Sequence, residues 1–197
     1  MPRIDHAAYE AAQESSGGSM TQMLPGAYVL RVQAVRTEGN TSSGHWTSDE
    51  KQYVQLVYDV AEGEFAGKYS DDYFMDASGR IDPDKDYMHV HYLSWKNYGY
   101  LKKQLRVLTE CNPGFDALAA FEADKWELFV GKKFGAVLDG EVDTNDRGYD
   151  RWKLRVGDLI TLDQIKRGEY REPKIEDKRT QVAAPSTSTY MDDVPFS

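Results

Sequence analysis

Alternation begins where the dipeptide Pro25-Gly26 ends a polar opening stretch. Tyr28, Leu30, Val32 and Ala34 alternate with Arg31, Gln33 and their neighbours, the period of two expected of a half-buried strand. A second alternation places Val54, Leu56, Tyr58 and Val60 on one face, with Tyr53, Gln55 and Asp59 on the other. Residues 37–46 between them are polar, contain glycine and end in His45 and Trp46, which predicts a flexible hairpin connection carrying an aromatic. Residues 61–67 read as a turn and residues 69–75 as a third strand rich in aromatics. A turn-rich excursion over 78–85 leads into a further alternation at 87–93.

The period then becomes helical. Tyr98, Leu101, Leu105 and Leu108 recur at spacings of three and four with Lys102, Lys103 and Arg106 opposite, and Asn112-Pro113-Gly114 stops the helix. A shorter helical region spans 116–128, a strand resumes over 130–138, and residues 143–148 form a hairpin tip. In the partner strand Tyr149, Arg151, Lys153 and Arg155 alternate with Asp150, Trp152, Leu154 and Val156, giving one cationic face and one mostly apolar face. A turn of helix at 162–165 closes the region.

Three strands in a meander, a helix and a two-stranded hairpin are the element order of the OB-fold, a small five-stranded barrel with its helix between strands three and four. The predicted class is therefore mainly β with inserted helices, the second helical stretch and the 87–93 strand counting as insertions. The expected organisation is an N-terminal arm over 1–24, an OB-like nucleic-acid-binding domain over 25–175 and a flexible acidic tail over 176–197. The tail from Gln181 is rich in Ala, Pro, Ser and Thr without apolar periodicity, so it buries no core.

A length of 197 residues suits one core plus flexible ends. The net charge of -9 argues against a uniformly cationic coat, though the cations are unevenly placed and leave room for a local basic face. With one cysteine, Cys111, no internal disulfide forms, and no charged-then-apolar leader or membrane-length apolar run is seen, so a reducing cytoplasm is the expected location. Cys111 lacks flanking cations and reads as a helix-end residue.

Single strands present phosphates and unpaired bases, so their binding needs cations along a groove with aromatics for stacking. The candidate DNA-binding residues are Arg31, Trp46, Tyr53, Tyr149, Arg151, Lys153 and Arg155, with His45, Tyr69 and Tyr73 as further members. Trp46, flanked by Gly44, His45 and Thr47, is expected to be exposed; Trp152 is expected in the core beside Leu154 and Val156. The cationic face of Arg151, Lys153 and Arg155 equally suits a solvated surface paired with nearby acids.

Metal and catalytic chemistry find little support. A calcium loop from Asp82 needs glycine at its sixth position and glutamate at its twelfth, where Tyr87 and Leu93 stand. His89 and His91 share a strand face, but no nearby cysteine or third histidine completes a zinc set. No phosphate-binding Gly-rich loop or nucleophile elbow is present. The expectation is a non-enzyme without cofactors or metal.

The stretch Tyr58-Asp59-Val60-Ala61-Glu62-Gly63-Glu64-Phe65-Ala66-Gly67, the later Asn112-Pro113-Gly114-Phe115, the block Val130-Gly131-Lys132-Lys133-Phe134-Gly135 and residues 165–173 resemble a family of single-stranded-DNA-binding-like proteins encoded by phages and prophages of Gram-positive bacteria. The resemblance covers roughly residues 25–174 and implies a role in phage DNA replication or recombination. Independently, the ending Asp192-Asp193-Val194-Pro195-Phe196 resembles the acidic tip with which bacterial single-stranded-DNA-binding proteins recruit replication and repair enzymes. Here Ser197 follows the phenylalanine that usually ends that tip. Asp192, Asp193, Pro195 and Phe196 are the expected partner-binding residues: the aromatic fills an apolar pocket while the acids meet basic residues, and the same acids compete with DNA for the basic groove. The plainer reading of the tail is a solubilising surface. For the whole chain the alternative is a protein-docking module of a phage replication or regulatory complex. An open barrel edge invites homo-oligomers.

Overall fold

Strand β1 (Gly26–Arg36) is paired on both edges: with β4 (Tyr53–Val60) from Leu30 to Arg36, and with β6 (Lys133–Thr144) from Gly26 to Arg31. The outer places go to β5 (Val90–Ser94) beside β4 and β7 (Asp150–Ile160) beside β6, giving the order β5-β4-β1-β6-β7, antiparallel throughout. The computed structural model describes residues 22–41, 44–69, 89–144 and 149–179. Register shifts leave Gln33 in β1 and Gly157 in β7, opposite Val137/Leu138 of β6, as extra residues, irregularities that sharpen strand twist. The result is a mainly β structure whose five antiparallel strands form a nearly closed, barrel-like sheet, with a few helices.

The inner face carries Leu30, Val32, Val54, Leu56, Tyr58, Val60, Leu93, Phe134 and Leu138, all buried in one cluster. Helix α2, Tyr98–Cys111, lays Leu101, Leu105 and Leu108 into it; a one-turn helix, α1 (Ser48–Lys51), precedes it in the chain. Asn97 caps α2 by accepting from the Tyr100 N–H. At the other end the Asn112 amide donates to the carbonyls of Leu108 and Lys133 at 2.7 Å, and its oxygen accepts from Lys133 N–H. One side chain thus ends the helix and starts β6.

No backbone hydrogen bonds join β5 to β7 among the described residues, and one turn of α2 bridges that seam. Gln104, fully buried, donates to His91 Nε2 at 2.6 Å and to the Tyr92 carbonyl at 2.9 Å, both on β5, while Lys103 Nζ lies 2.5 Å from Asp158 Oδ1 on β7.

Beyond α2, helix α3 (Ala117–Glu122) and a 3₁₀ turn (Trp126–Phe129) occupy the second helical region foreseen at 116–128. Edge-to-face contacts of Phe121 with Trp126 and Phe115 with Phe129 hold them to the core. After β7, helix α4 (Leu162–Arg167) has a capping box between Thr161 and Gln164 and ends on Gly168 at φ 67°, a left-handed position that suits glycine. Strand β8 (Ile175–Asp177) then pairs parallel with β6 at residues 140–142, on the edge that β1 leaves at Leu138. Among the described residues no helix is long and apolar enough to cross a membrane.

Three expectations change, and a fourth lies largely outside the described residues. Residues 37–46 are ordered: β2 (Glu38–Thr41) and β3 (Gly44–Thr47) form a ribbon, followed by α1 (Ser48–Lys51) with a Thr47/Glu50 capping box. The ribbon's backbone hydrogen bonds are invisible to a reading that weighs apolar periodicity. The strand expected at 69–75 lies outside the described residues except for Tyr69, which is buried at the end of a turn. The third strand of the meander is instead Val90–Ser94, part of the stretch read as an insertion. Met23, assigned to the arm, is buried in the core and accepts from the Tyr69 hydroxyl at 3.4 Å.

The His91–Gln104 bond requires a neutral ring whose Nε2 accepts. Burial, opposed by the Asp158 carboxylate, lowers the His91 pKa from 6.5 to about 4. Between these values the unfolded chain binds the extra proton, so the contribution of His91 to stability is complete above about pH 6.5 and lost as pH falls towards 4. The melting temperature of wild type is expected to fall through that window, and the difference between wild type and His91→Leu to shrink with it. A difference that stays constant from neutral pH to about pH 4 counts against this role.

Candidate functional site

Two groups of candidate residues lie on the face of the sheet opposite the core. The first is on β4 and β5. Side chains at 53 and 55 point away from the core residues Val54 and Leu56, and the register sets Gln55 between Arg36 on β1 and Tyr92 on β5. Arg36 is buried and donates to Gln55 Oε1 at 2.9 Å. The β2–β3 ribbon folds Trp46 onto this surface: its ring lies 5.4 Å from Tyr53, and the Arg36 guanidinium stands over it at 5.6 Å. Tyr53 in turn meets Tyr92 edge to face at 4.8 Å.

Trp46 is therefore not the exposed aromatic expected from its polar neighbours; it is 1% exposed and anchors the ribbon. The exposed ring is Tyr92, 43% accessible, with Tyr53 half-buried between the two. Tyr92 escaped the sequence reading because its strand was taken as an insertion. The alternation of 87–93 carried the signal. Tyr69 is also buried, with its ring stacked on His89 at 3.4 Å, and belongs to the core rather than to a binding surface.

The second group is on β7, where the predicted alternation holds. Arg151, Lys153 and Arg155 face outwards, and Leu154 and Val156 pack against the core. Trp152, expected in the core, is half-buried: it faces inwards near the tip of the hairpin, covering Gly140, where an added Cβ would meet its ring at 2.9 Å. Tyr149 is 70% exposed at the entry to the strand. The cations are not bare. The register puts Asp143 opposite Arg151, Glu141 opposite Lys153 and Asp139 opposite Arg155. Arg151 binds Asp143 through two bonds of 3.0 and 2.8 Å, and Lys153 reaches the same carboxylate at 2.8 Å and Glu141 at 3.5 Å. Hydrogen bonds from Arg151 and Lys153 hold the Asp143 carboxyl far below its ordinary range.

The segment after α4 completes this surface. Burial raises the Asp139 pKa, but Arg171, with bonds of 2.7 and 2.9 Å, and the Lys174 N–H outweigh it and keep the carboxylate ionised. Lys178 meets Glu141 at 2.7 Å, and Arg179 meets Asp150 at 3.0 Å. Arg155 and Arg31 are exposed and make no ion pair with another described residue. The structure thus joins Trp46 with Tyr53, and Tyr149 with Arg151, Lys153 and Arg155 along one strand, while Arg31 stands alone on β1. Tyr73 and the tail residues Asp192, Asp193, Pro195 and Phe196 lie outside the described residues.

Other chemistry is sparse. Cys111 lines a shallow depression with Glu110, Asp163, Lys166 and Arg167 between α2 and α4. Burial raises its pKa, which disfavours the reactive thiolate. Among the described residues no cluster of three or more His, Cys, Asp or Glu side chains is arranged to hold a metal.

Because Trp46 anchors the ribbon, Trp46→Ala is expected to destabilise the protein by about 3–5 kcal/mol, the range for deleting a buried aromatic. Chemical denaturation measures this directly. An unchanged midpoint would return Trp46 to the surface. No protein-family model matches the sequence, and comparison with curated proteins finds no similar chain.

Proposed function

We propose that this chain is a non-catalytic, largely sequence-independent binder of single-stranded DNA built on an OB-fold. The observation that carries the reading is the strand order β5-β4-β1-β6-β7 with α2 between the third and fourth strands of the barrel. In an OB-fold this order closes the third strand on the fifth, and oligonucleotides bind across strands two and three and the loops 1–2 and 4–5. The corresponding parts here are β4, β5, the ribbon segment over 37–52 and the β6–β7 hairpin. They bear Tyr53, Tyr92, Tyr149 and the β7 cations.

Tyr92 and Tyr149 offer ring surface for stacking. Arg31 and Arg155 offer charge for phosphates, with Arg151 and Lys153 held in line beside them. The resemblance of the sequence to phage and prophage single-stranded-DNA-binding-like proteins supports a role in phage replication or recombination inside a bacterial host. The C-terminal Asp192, Asp193, Pro195 and Phe196 would recruit the enzymes of that process. One observation favours the competing reading, a protein-docking module: the pairing of Arg151 and Lys153 with acids, in a chain of net charge -9, reduces the charge offered to phosphate.

Fluorescence anisotropy of labelled oligo-dT at low and moderate salt, with duplex of equal length as control, separates the two. Salt-sensitive binding that prefers the single strand is expected. Tyr92→Ala should weaken it about tenfold, at the lower end of the range for loss of one stacked base. Arg155→Ala should lower the salt slope by about 0.7, the share of one phosphate contact on a single strand. Absence of binding at low salt would leave the docking module. Deleting residues 190–197 is expected to leave oligo-dT binding intact or stronger while abolishing capture of host replication enzymes; loss of DNA binding on deletion would contradict that division.

A further inference from the structure

The acids of β6 and the cations of β7 are arranged in layers. Arg151 and Lys153 have side chains 56% and 51% exposed, whereas their partners Asp143 and Glu141 are only 20% and 23% exposed. The cations lie on the water side and the carboxylates beneath them. Along β7 the outward positions recur every second residue, about 6.7 Å apart. Arg151, Lys153 and Arg155 therefore form a row, of which Arg151 and Lys153 are held by fixed negative charge. Lys178 binds Glu141 from the opposite side, and Asp139, across from Arg155, is occupied by Arg171.

Resting on the proposed single-strand binding, we infer that Asp143 and Glu141 act as built-in phosphate mimics, which preorganise the Arg151–Lys153 row and hold its affinity for a polyanionic strand below what the cations alone would give. A phosphate approaching from solvent meets the outward sides of the guanidinium and ammonium groups, so the row is reachable without unfolding the hairpin. Exposed ion pairs are weak enough to be exchanged. The displaced carboxylates stay attached to β6, however, and continue to repel the strand. The steep salt dependence of phosphate binding comes from releasing condensed counterions, and its slope counts the phosphates neutralised. A row already compensated by its own carboxylates neutralises a bound strand only in part. The wild-type slope should accordingly be smaller than the number of cations on the surface suggests.

The test compares oligo-dT binding by wild type, the double variant Glu141→Gln/Asp143→Asn, and a control, Glu122→Gln/Glu127→Gln, that removes the same charge from α3 and the 3₁₀ turn. The ladder variant should bind several-fold more tightly at low salt, with a slope steeper by up to about 1.4, the share of two further phosphate contacts on a single strand; the control should stay near wild type. If the double variant loses its cooperative melt, Asp143→Asn alone decides, with a smaller gain in the same direction. Equal or weaker binding by the ladder variant, or an equal gain in the control, overturns the inference while wild-type binding leaves the functional reading standing. If neither wild type nor any variant binds oligo-dT at low salt, the functional reading fails and the inference with it.

Discussion

Strand β6 is the constraint on which the rest of the molecule depends. Its first half pairs with β1 and most of its length with β7, and β8 fills the edge that β1 leaves. Inward it gives Phe134, Ala136 and Leu138 to the core; outward it gives Asp139, Glu141 and Asp143 to a ladder of ion pairs. Asn112 ties its beginning to the end of α2. A one-residue slip in this strand would exchange the two faces, burying the carboxylates and exposing the core, so its register is strongly specified. The same register decides which cation meets which acid on the outer surface.

Legibility in the sequence followed the periodicity. The alternations of β1, β4 and β7 and the three-four spacing of α2 are carried by side chains that face a core, and those elements lie where the pattern placed them. The β2–β3 ribbon escaped because its residues are held by backbone hydrogen bonds and one buried indole, so apolar spacing carries no signal there. Trp46 misled for a related reason: its sequence neighbours are polar, but its spatial neighbours are Arg36 and Tyr53. The strand at 90–94 was read as an insertion because it follows a turn-rich excursion, and only pairing with β4 identifies it as the third strand of the sheet.

The candidate site was legible in composition but not in electrostatics. A row of Arg, Lys and Arg on one strand face can be read from spacing. That each stands opposite an acid of β6 depends on hairpin register, which the sequence leaves open until the tip is placed. This pairing also reconciles a local cationic strand with a net charge of -9. Fixed carboxylates beneath a cationic row hold long side chains in position and limit indiscriminate attraction to polyanions. Tyr92 and Tyr53, with a buried indole and a buried guanidinium behind them, supply a stiff aromatic surface on the other outer edge of the sheet. In a closing barrel those two edges face the same seam, which α2 bridges through Gln104 and Lys103.

The central claim is that one strand of nucleic acid runs across this surface, from the tyrosines of β4 and β5 to the cations of β7. Titrating isotope-labelled protein with oligo-dT and following backbone amide shifts tests it most directly. The account predicts the largest changes at Tyr53, Tyr92 and along 149–155, with α3 and the 3₁₀ turn little affected. Changes confined to α3 and that turn, or no change at all, would contradict it.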